Sequence, residues 1–165
     1  MFKSIKSKDL VFVGIQLLLF LIYILSPLAI KIDLNTFWRG VGLSLTITGF
    51  IILILAALQL NVNLSPFPTP SQDGHLITNG VYRYMRHPIY GGILLAAAGY
   101  SLNSADAFRL LVTLALFLLL YFKSNYEEKL LKKRFAGYSH CMKHTGRFLP
   151  SLRQFIRLLG QGPNF

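Results

Sequence analysis

Residues 88–122 run PIYGGILLAAAGYSLNSADAFRLLVTLALFLLLYF, two uncharged apolar segments joined by the short link Asn103–Asp106. The first segment, Pro88–Ala105, has 18 residues, and the second, Leu110–Phe122, has 13. Thirteen helical residues cover only about 20 Å, which is too short to cross a membrane. We therefore expect the second helix to begin near Ala107 and to continue past Phe122 into water. The short link predicts a tight antiparallel hairpin, with Ser104 or Asp106 capping the returning helix.

Two further apolar segments precede the hairpin. Leu10–Ile30 contains 21 uncharged residues, and Gly40–Leu60 is a second uncharged run. Each is long enough for one crossing. The Pro-rich segment Asn61–Gly74 that follows is predicted to be a loop. The predicted fold is an all-α integral membrane bundle of about four spans (10–30, 40–60, 88–105 and 107–122) in a single domain over 1–165.

The composition supports a membrane location. Of 165 residues, 53% are hydrophobic and 14% are charged, and the mean hydropathy is +0.51. Soluble domains carry about 25% charged residues, so this composition argues against a soluble monomer. The single cysteine, Cys141, excludes an internal disulfide and a cysteine-based zinc cluster. Despite the net charge of +11, no nucleic acid partner is expected, because the sequence has neither a phosphate-binding glycine loop nor an RNA-binding aromatic motif.

The basic residues are distributed unevenly across the predicted spans. With four spans both termini lie on one side, and 14 of the 17 lysines and arginines fall in the termini and the central loop. Lys31, Arg39 and Arg109 fall on the opposite side. The positive-inside rule predicts that the termini and the central loop are cytoplasmic.

Two polar segments are predicted to meet at this cytoplasmic face, because each adjoins one arm of the hairpin. They are Gly74–Gly92, before the third span, and Asn125–Lys129, after the fourth. Pro88 fits the first turn of a helix, whose free N–H groups can bind a carboxylate. Glu127 and Glu128 point about 100° apart on a helix, so one of them can face a cation or a ribose hydroxyl.

The tyrosines of the first segment, Tyr82, Tyr84 and Tyr90, offer flat faces for an aromatic base and hydroxyls for a sugar. A pocket with these residues can hold a zwitterionic, adenine-bearing ligand. Three simpler interpretations stay open at this stage. The His-Pro pair can be only a helix start, the tyrosines only an interfacial belt, and the glutamates a solvated face with pairs such as Glu128–Lys132.

A metal site is not expected. His140 and His144 have the i,i+4 spacing that can share a metal ion on a helix, but the glutamate of the metalloprotease pattern is missing and Lys143 lies between them. The residues alone therefore predict a ligand pocket without naming a reaction.

A longer sequence pattern indicates a reaction. The motif Gly80-Val-Tyr-Arg-Tyr-Met-Arg-His-Pro-Ile-Tyr-Gly-Gly92 is followed by the hairpin, by Glu127-Glu128 and by Thr145-Gly-Arg-Phe-Leu-Pro150. Over about Asn61–Leu152 this pattern resembles the isoprenylcysteine carboxyl methyltransferase family, which is related to the phospholipid methyltransferases.

The resemblance implies methyl transfer from S-adenosylmethionine to a lipophilic small-molecule substrate in the bilayer, at the cytoplasmic face. The implied reaction is O-methylation of an isoprenylcysteine-like carboxylate, with N-methylation of phospholipid amines, or a non-catalytic protein that keeps the fold, as alternatives. It implies positioning roles for His87, Tyr90 and Glu128, and a substrate contact for Lys123, the nearest basic residue before the glutamates. The implied cofactor residues are Gly74, His75, Leu76, Ile77, Tyr82, His87, Pro88, Ile89, Tyr90, Glu127 and Glu128.

Overall fold

The computed structural model describes residues 7–60 and 76–151, and these residues form helices without any strand. The loop predicted over Asn61–Gly74 and the predicted site residues Gly74 and His75 lie outside the described residues. The all-α prediction is confirmed. The elements are α1 (Ser7–Leu25), α2 (Thr36–Leu60), a 3-10 helix (Gly80–Arg83), α3 (Pro88–Asn103), α4 (Ala107–Arg134) and α5 (Tyr138–His144).

Three of the helices, α1, α2 and α4, are long and apolar enough to cross a membrane, with 19, 25 and 28 residues. The predicted third span is shorter than expected. α3 has 16 residues, which is about 24 Å of helix and falls short of the about 20 residues of a typical span. Among the described residues, three of the four predicted spans therefore meet the length expected of a membrane helix.

Several helices begin or end at other residues than the predicted spans. α1 ends at Leu25 rather than Ile30, because Ser26 has a positive φ of 41° and Pro27 follows it. α2 starts at Thr36, four residues before the predicted Gly40, and the Asn35 side chain accepts a hydrogen bond from the Trp38 N–H at 3.1 Å. α2 therefore begins before the apolar run, where Asn35 caps it and Arg39 lies in its first turn.

α2 and α3 pack against each other through small residues. Gly42 and Gly49 of α2 lie directly against the α3 backbone at Gly99 and Ala96, so a Cβ atom at either glycine would collide with α3. Small residues permit this close approach of two helices, which provides van der Waals packing where lipid supplies no hydrophobic driving force. The spacing Gly42, Gly49, Ala56 was visible in the sequence as a seven-residue repeat of small residues.

α3 and α4 form the predicted tight hairpin, and Asp106 rather than Ser104 caps α4. The Asp106 carboxylate accepts hydrogen bonds from the N–H groups of Phe108, at 3.0 Å, and Arg109, at 3.4 Å. It also accepts one from the hydroxyl of Ser26, at 2.8 Å, which joins the end of α1 to the hairpin. The backbone of Ala107 bonds to Ile30 in the α1–α2 link. This end of the bundle is therefore held by hydrogen bonds between the end of α1, the α1–α2 link and the hairpin.

The opposite end of the bundle is where α4 runs past Phe122, as predicted, to Arg134. After α5, the chain returns to the start of α3. The N–H groups of Arg86 and His87 donate to the carbonyls of Gly146 and Arg147, both at 2.9 Å. We call residues 145–149 the strap, because they cross the entrance to α3 in contact with the loop that carries His87.

Candidate active site

The start of α3 and the last turns of α4 contact each other, as the hairpin predicted. His87 Nε2 lies 3.3 Å from Glu128 Oε1, and the Tyr90 hydroxyl donates to Glu127 Oε2 at 3.0 Å. His87 is the residue before Pro88, the first residue of α3. The predicted helix start at Pro88 is confirmed, and the His-Pro pair also brings an imidazole onto two carboxylates.

Glu128 lies at the centre of a cluster of buried charges. Arg86 Nε donates to Glu128 Oε1 at 2.8 Å, and Arg147 Nη2 donates to Oε2 at 3.1 Å. Only 5% of the Glu128 side chain is exposed. The interpretation of Glu128 as a solvated residue paired with Lys132 is therefore wrong, because its partners come from the α3 entrance and the strap, while Lys132 is exposed to solvent.

Glu127 points about 100° away from Glu128 around α4 and lies in a different environment. Its carboxylate accepts the Tyr90 hydrogen bond and lies 3.6 Å from His87 Nδ1. A quarter of its side chain is exposed. Neither arginine of the Glu128 cluster is among its hydrogen-bond partners in the described residues. Glu127 is therefore the carboxylate of the pair that a ligand can reach.

Aromatic rings surround the Glu127 carboxylate. The rings of His87 and Tyr90 are parallel, with centroids 5.4 Å apart. Phe148 of the strap lies edge-on to both rings and to Phe117 of α4. Gly91 makes this packing possible, because a Cβ atom there would collide with the Phe148 carbonyl oxygen. The strap is thus held against α3 by a glycine contact and a set of edge-to-face rings.

Lys123 is buried inside the bundle, with 1% of the residue exposed. Its ammonium donates to Gln16 Oε1 of α1 at 2.7 Å and lies 5.3 Å from the centroid of the Tyr90 ring. The residue predicted to contact substrate therefore lies behind Tyr90, between α1 and α4. The contacts of its ammonium include a polar side chain of α1 and the face of an aromatic ring.

The other predicted site residues flank this cluster. Tyr82, in the 3-10 helix, is buried, and its hydroxyl donates to the Ala56 carbonyl at a long 3.4 Å. Burial, with the nearby charge of Glu127, raises the pKa of the Tyr82 hydroxyl, so the group remains a neutral donor. Pro88 is fully buried, whereas Leu76, Ile77 and Ile89 are half-buried.

Four residues beside the two glutamates and His87 were not in the predicted site: Arg86, Tyr138, Arg147 and Phe148. Arg86 holds α5 as well as Glu128, because its Nη1 donates to the carbonyls of Met142 and Thr145. Tyr138 is buried with its hydroxyl unpartnered among the described residues, and burial raises the pKa of that hydroxyl. The sequence pattern contained a signal for three of them, since Arg86 adjoins His87, and Arg147 and Phe148 lie in the block Thr145–Pro150.

Comparison with protein families supplies one match. The model of the phospholipid methyltransferase family matches residues 37–137, which is more than half of the chain. The match includes α2, α3, α4, the His-Pro pair and both glutamates. A comparison with curated proteins found no significant match.

Proposed function

The chain belongs to the phospholipid methyltransferase family, and from this premise we propose that it transfers a methyl group from S-adenosylmethionine to a lipophilic acceptor at the cytoplasmic face of the membrane. The family makes it a membrane methyltransferase. The observation that carries the proposal is the reachable Glu127 carboxylate beside Tyr90, backed by the buried Glu128 cluster.

The residues present fit a cofactor that carries an ammonium, a carboxylate, a ribose and an adenine. Glu127 accepts from an ammonium or from ribose hydroxyls, and Tyr90 and Phe148 offer aromatic surface for the base. The first turn of α3 offers N–H groups for a carboxylate. Buried donors without a partner among the described residues, the Tyr138 hydroxyl and Arg147 Nη1, lie beside the cluster and are typical of a site that a ligand completes.

We assign the cofactor contacts to the α3 entrance and to α4. They are Leu76, Ile77, Tyr82, His87, Pro88, Ile89, Tyr90 and Glu127, with Glu128 acting through the arginines and His87 that it orients. The family resemblance adds Gly74 and His75, which lie outside the described residues. The cofactor supplies a methyl group that is already activated on a sulfonium. What the chain must contribute is alignment and the exclusion of water, and the strap and its Phe148 cover the cluster from one side.

The acceptor decides whether a base is needed. A carboxylate, such as that of an isoprenylcysteine-like lipid, is ionised at neutral pH and needs none. An amine must first lose a proton, and His87, 3.6 Å from Glu127, is the group placed for that task. A phospholipid amine is the second candidate acceptor, and the family match supports it. The buried position of Lys123 behind Tyr90 argues against its direct contact with a carboxylate.

The orientation follows from charge. The Glu128 cluster lies at the end of the bundle that carries the N-terminus of α1 and the C-terminus of α4. The predicted loops and termini at this end hold 14 of the 17 basic residues. The positive-inside rule supports a cytoplasmic location for this end and therefore for the site.

Two measurements test the proposal. The purified protein in detergent should bind S-adenosylhomocysteine in calorimetry, and His87→Ala should remove that binding. The exposed His140→Ala on α5 is the matched control and should retain it. Labelled methyl transfer to a lipid extract, followed by base, then separates the acceptors, because esters release methanol and N-methyl groups do not. Absence of binding by the folded wild type would favour the non-catalytic alternative and overturn the enzyme proposal.

A further inference from the structure

We propose that a cleft between the start of α1 and the last turns of α4 binds the phosphate of an anionic membrane lipid, at a site separate from the methyl-transfer site. The cleft has a volume of about 520 Å³. It is lined by Ser7, Lys8, Tyr126, Lys129, Leu130 and Lys133.

Charge is the first argument. Three lysines from two helices converge on the cleft, and no acidic residue is among the described residues that line it. Asp9, the acidic neighbour of Lys8, is fully buried and does not line the cleft, although its charge acts on Tyr126, which does. Lys129 and Lys133 are four residues apart on one helix face, where like charges repel each other. An anion bound between them and Lys8 relieves that repulsion.

Helix geometry separates this cleft from the Glu128 cluster. Tyr126, Lys129, Leu130 and Lys133 have i,i+3, i,i+4 and i,i+7 spacings and therefore share one face of α4. Glu128 points about 200° away from Tyr126 around the helix. Its partners are Arg86, His87 and Arg147, none of which lines the cleft. The Glu128 cluster and the cleft therefore lie on opposite sides of α4, and Glu127 points about 100° away from Tyr126.

The position of the cleft indicates the source of the phosphate. It lies at the polar end of two membrane helices, next to exposed apolar side chains such as Leu10 of α1 and Phe122 of α4. Tyr126 stacks on Phe12 with ring centroids 6.0 Å apart, and Leu130 adds apolar surface. A lipid can place its acyl chains along these side chains and its phosphate among the lysines, whereas free phosphate uses only the lysines.

Lipid titration of the full-length protein in a neutral detergent tests this assignment. The thermal unfolding midpoint is followed with phosphatidylglycerol, with phosphatidylcholine and with inorganic phosphate. We expect phosphatidylglycerol to raise the midpoint with saturation, and the other two to have little effect. Phosphate alone matching phosphatidylglycerol would overturn the assignment to a lipid, and phosphatidylcholine matching it would overturn the requirement for an anion.

A charge-matched pair of variants locates the site. Lys129→Gln/Lys133→Gln should weaken the apparent affinity for phosphatidylglycerol about 30-fold. Lys132→Gln/Lys143→Gln removes the same charge from exposed positions outside the cleft and should leave the affinity near that of the wild type. If the α4 double variant does not fold, Lys8→Gln on α1 tests the same cleft and should weaken affinity about fivefold. Equal weakening by cleft and control variants would overturn the proposal.

Discussion

Two buried carboxylates, Asp106 and Glu128, lie near opposite ends of α4, about 33 Å apart along the helix. Asp106 is held by a serine hydroxyl and by two backbone N–H groups of its own helix start. Glu128 is held by two guanidinium groups and an imidazole from separate segments of the chain. The two carboxylates are similarly buried, but their partners differ in kind.

This difference indicates that Asp106 stabilises the fold, whereas Glu128 organises a functional site. The Asp106 contacts join neighbouring elements, α1, the α1–α2 link and the hairpin, mainly through neutral groups, with one ion pair to Arg109 at 3.8 Å. The Glu128 contacts bring several charges together in a buried place, which costs desolvation free energy that apolar packing would avoid. Such a cluster is typical of functional sites, and its neighbour Glu127 remains reachable.

The largest expected effect comes from Glu128→Gln. The substitution leaves Arg86, whose side chain is 9% exposed, without its carboxylate, so we expect a loss of about 3–5 kcal/mol in the free energy of unfolding. Arg147 is more exposed and contributes less. Denaturant unfolding in mixed micelles measures the loss, and calorimetry should show that S-adenosylhomocysteine no longer binds.

Glu127→Gln is the matched control for that prediction. Its carboxylate is a quarter exposed and an amide can still accept from Tyr90, so the stability loss should be about 1 kcal/mol, although binding should fall as well. Equal stability losses in the two variants would mean that the two glutamates do not differ in the way that their contacts indicate.

A smaller effect is expected from Gly91→Ala at the contact between α3 and the strap. The added methyl group collides with the Phe148 carbonyl, so either the strap or the start of α3 must move, at a cost of about 1–3 kcal/mol. Because Phe148 packs on His87 and Tyr90, cofactor affinity should fall too. Gly14→Ala on α1 meets no atom within 4 Å, so it should leave cofactor affinity unchanged and should not lower stability. A neutral Gly91→Ala would show that the strap does not support the site.

The sequence was sufficient for the hairpin and for the meeting of the segment before α3 with the last turns of α4. Both depend on periodic apolar runs and a short link, which constrain the chain strongly. Helix ends were predicted less well, because a cap at Asn35 or a turn at Ser26 depends on local hydrogen bonds that hydropathy does not record. The length of α3 was overestimated for the same reason, since its uncharged run extends past the helix to Ala105.

The distinct environments of Glu127 and Glu128 could not be predicted, because they depend on where the strap returns. Arg147 reaches Glu128 only after the chain has passed through α5 and paired with the α3 entrance. No local pattern specifies that contact. Lys123 is a similar case, because its partner Gln16 is 107 residues away in the sequence.

At the Asp106 end, Asp106→Ala should reduce stability without touching the site. It removes the cap of α4 and the bond from Ser26, with an expected loss of about 2 kcal/mol in the free energy of unfolding. Affinity for S-adenosylhomocysteine should be unchanged under conditions where the variant is folded, because the cluster lies at the other end of α4. A selective loss of affinity would contradict the division of roles between the two ends.

The smallest effect concerns pH. Burial alone would raise the pKa of Asp106, but the hydrogen bonds from Ser26, Arg109 and Phe108 and the charge of Arg109 outweigh burial and hold the pKa below its ordinary value. A lowered folded pKa means that the stabilisation is complete above the unfolded pKa, near 3.9, and is lost as the pH falls through the folded value. Asp106→Asn keeps the shape of the cap and lacks this titration. The stability gap between wild type and Asp106→Asn should therefore be constant from about pH 7 to pH 5 and narrow below pH 4, as measured by unfolding at each pH. A gap that widens toward acid would mean that the pKa of Asp106 is raised in the folded protein, which would contradict its description as a satisfied structural carboxylate.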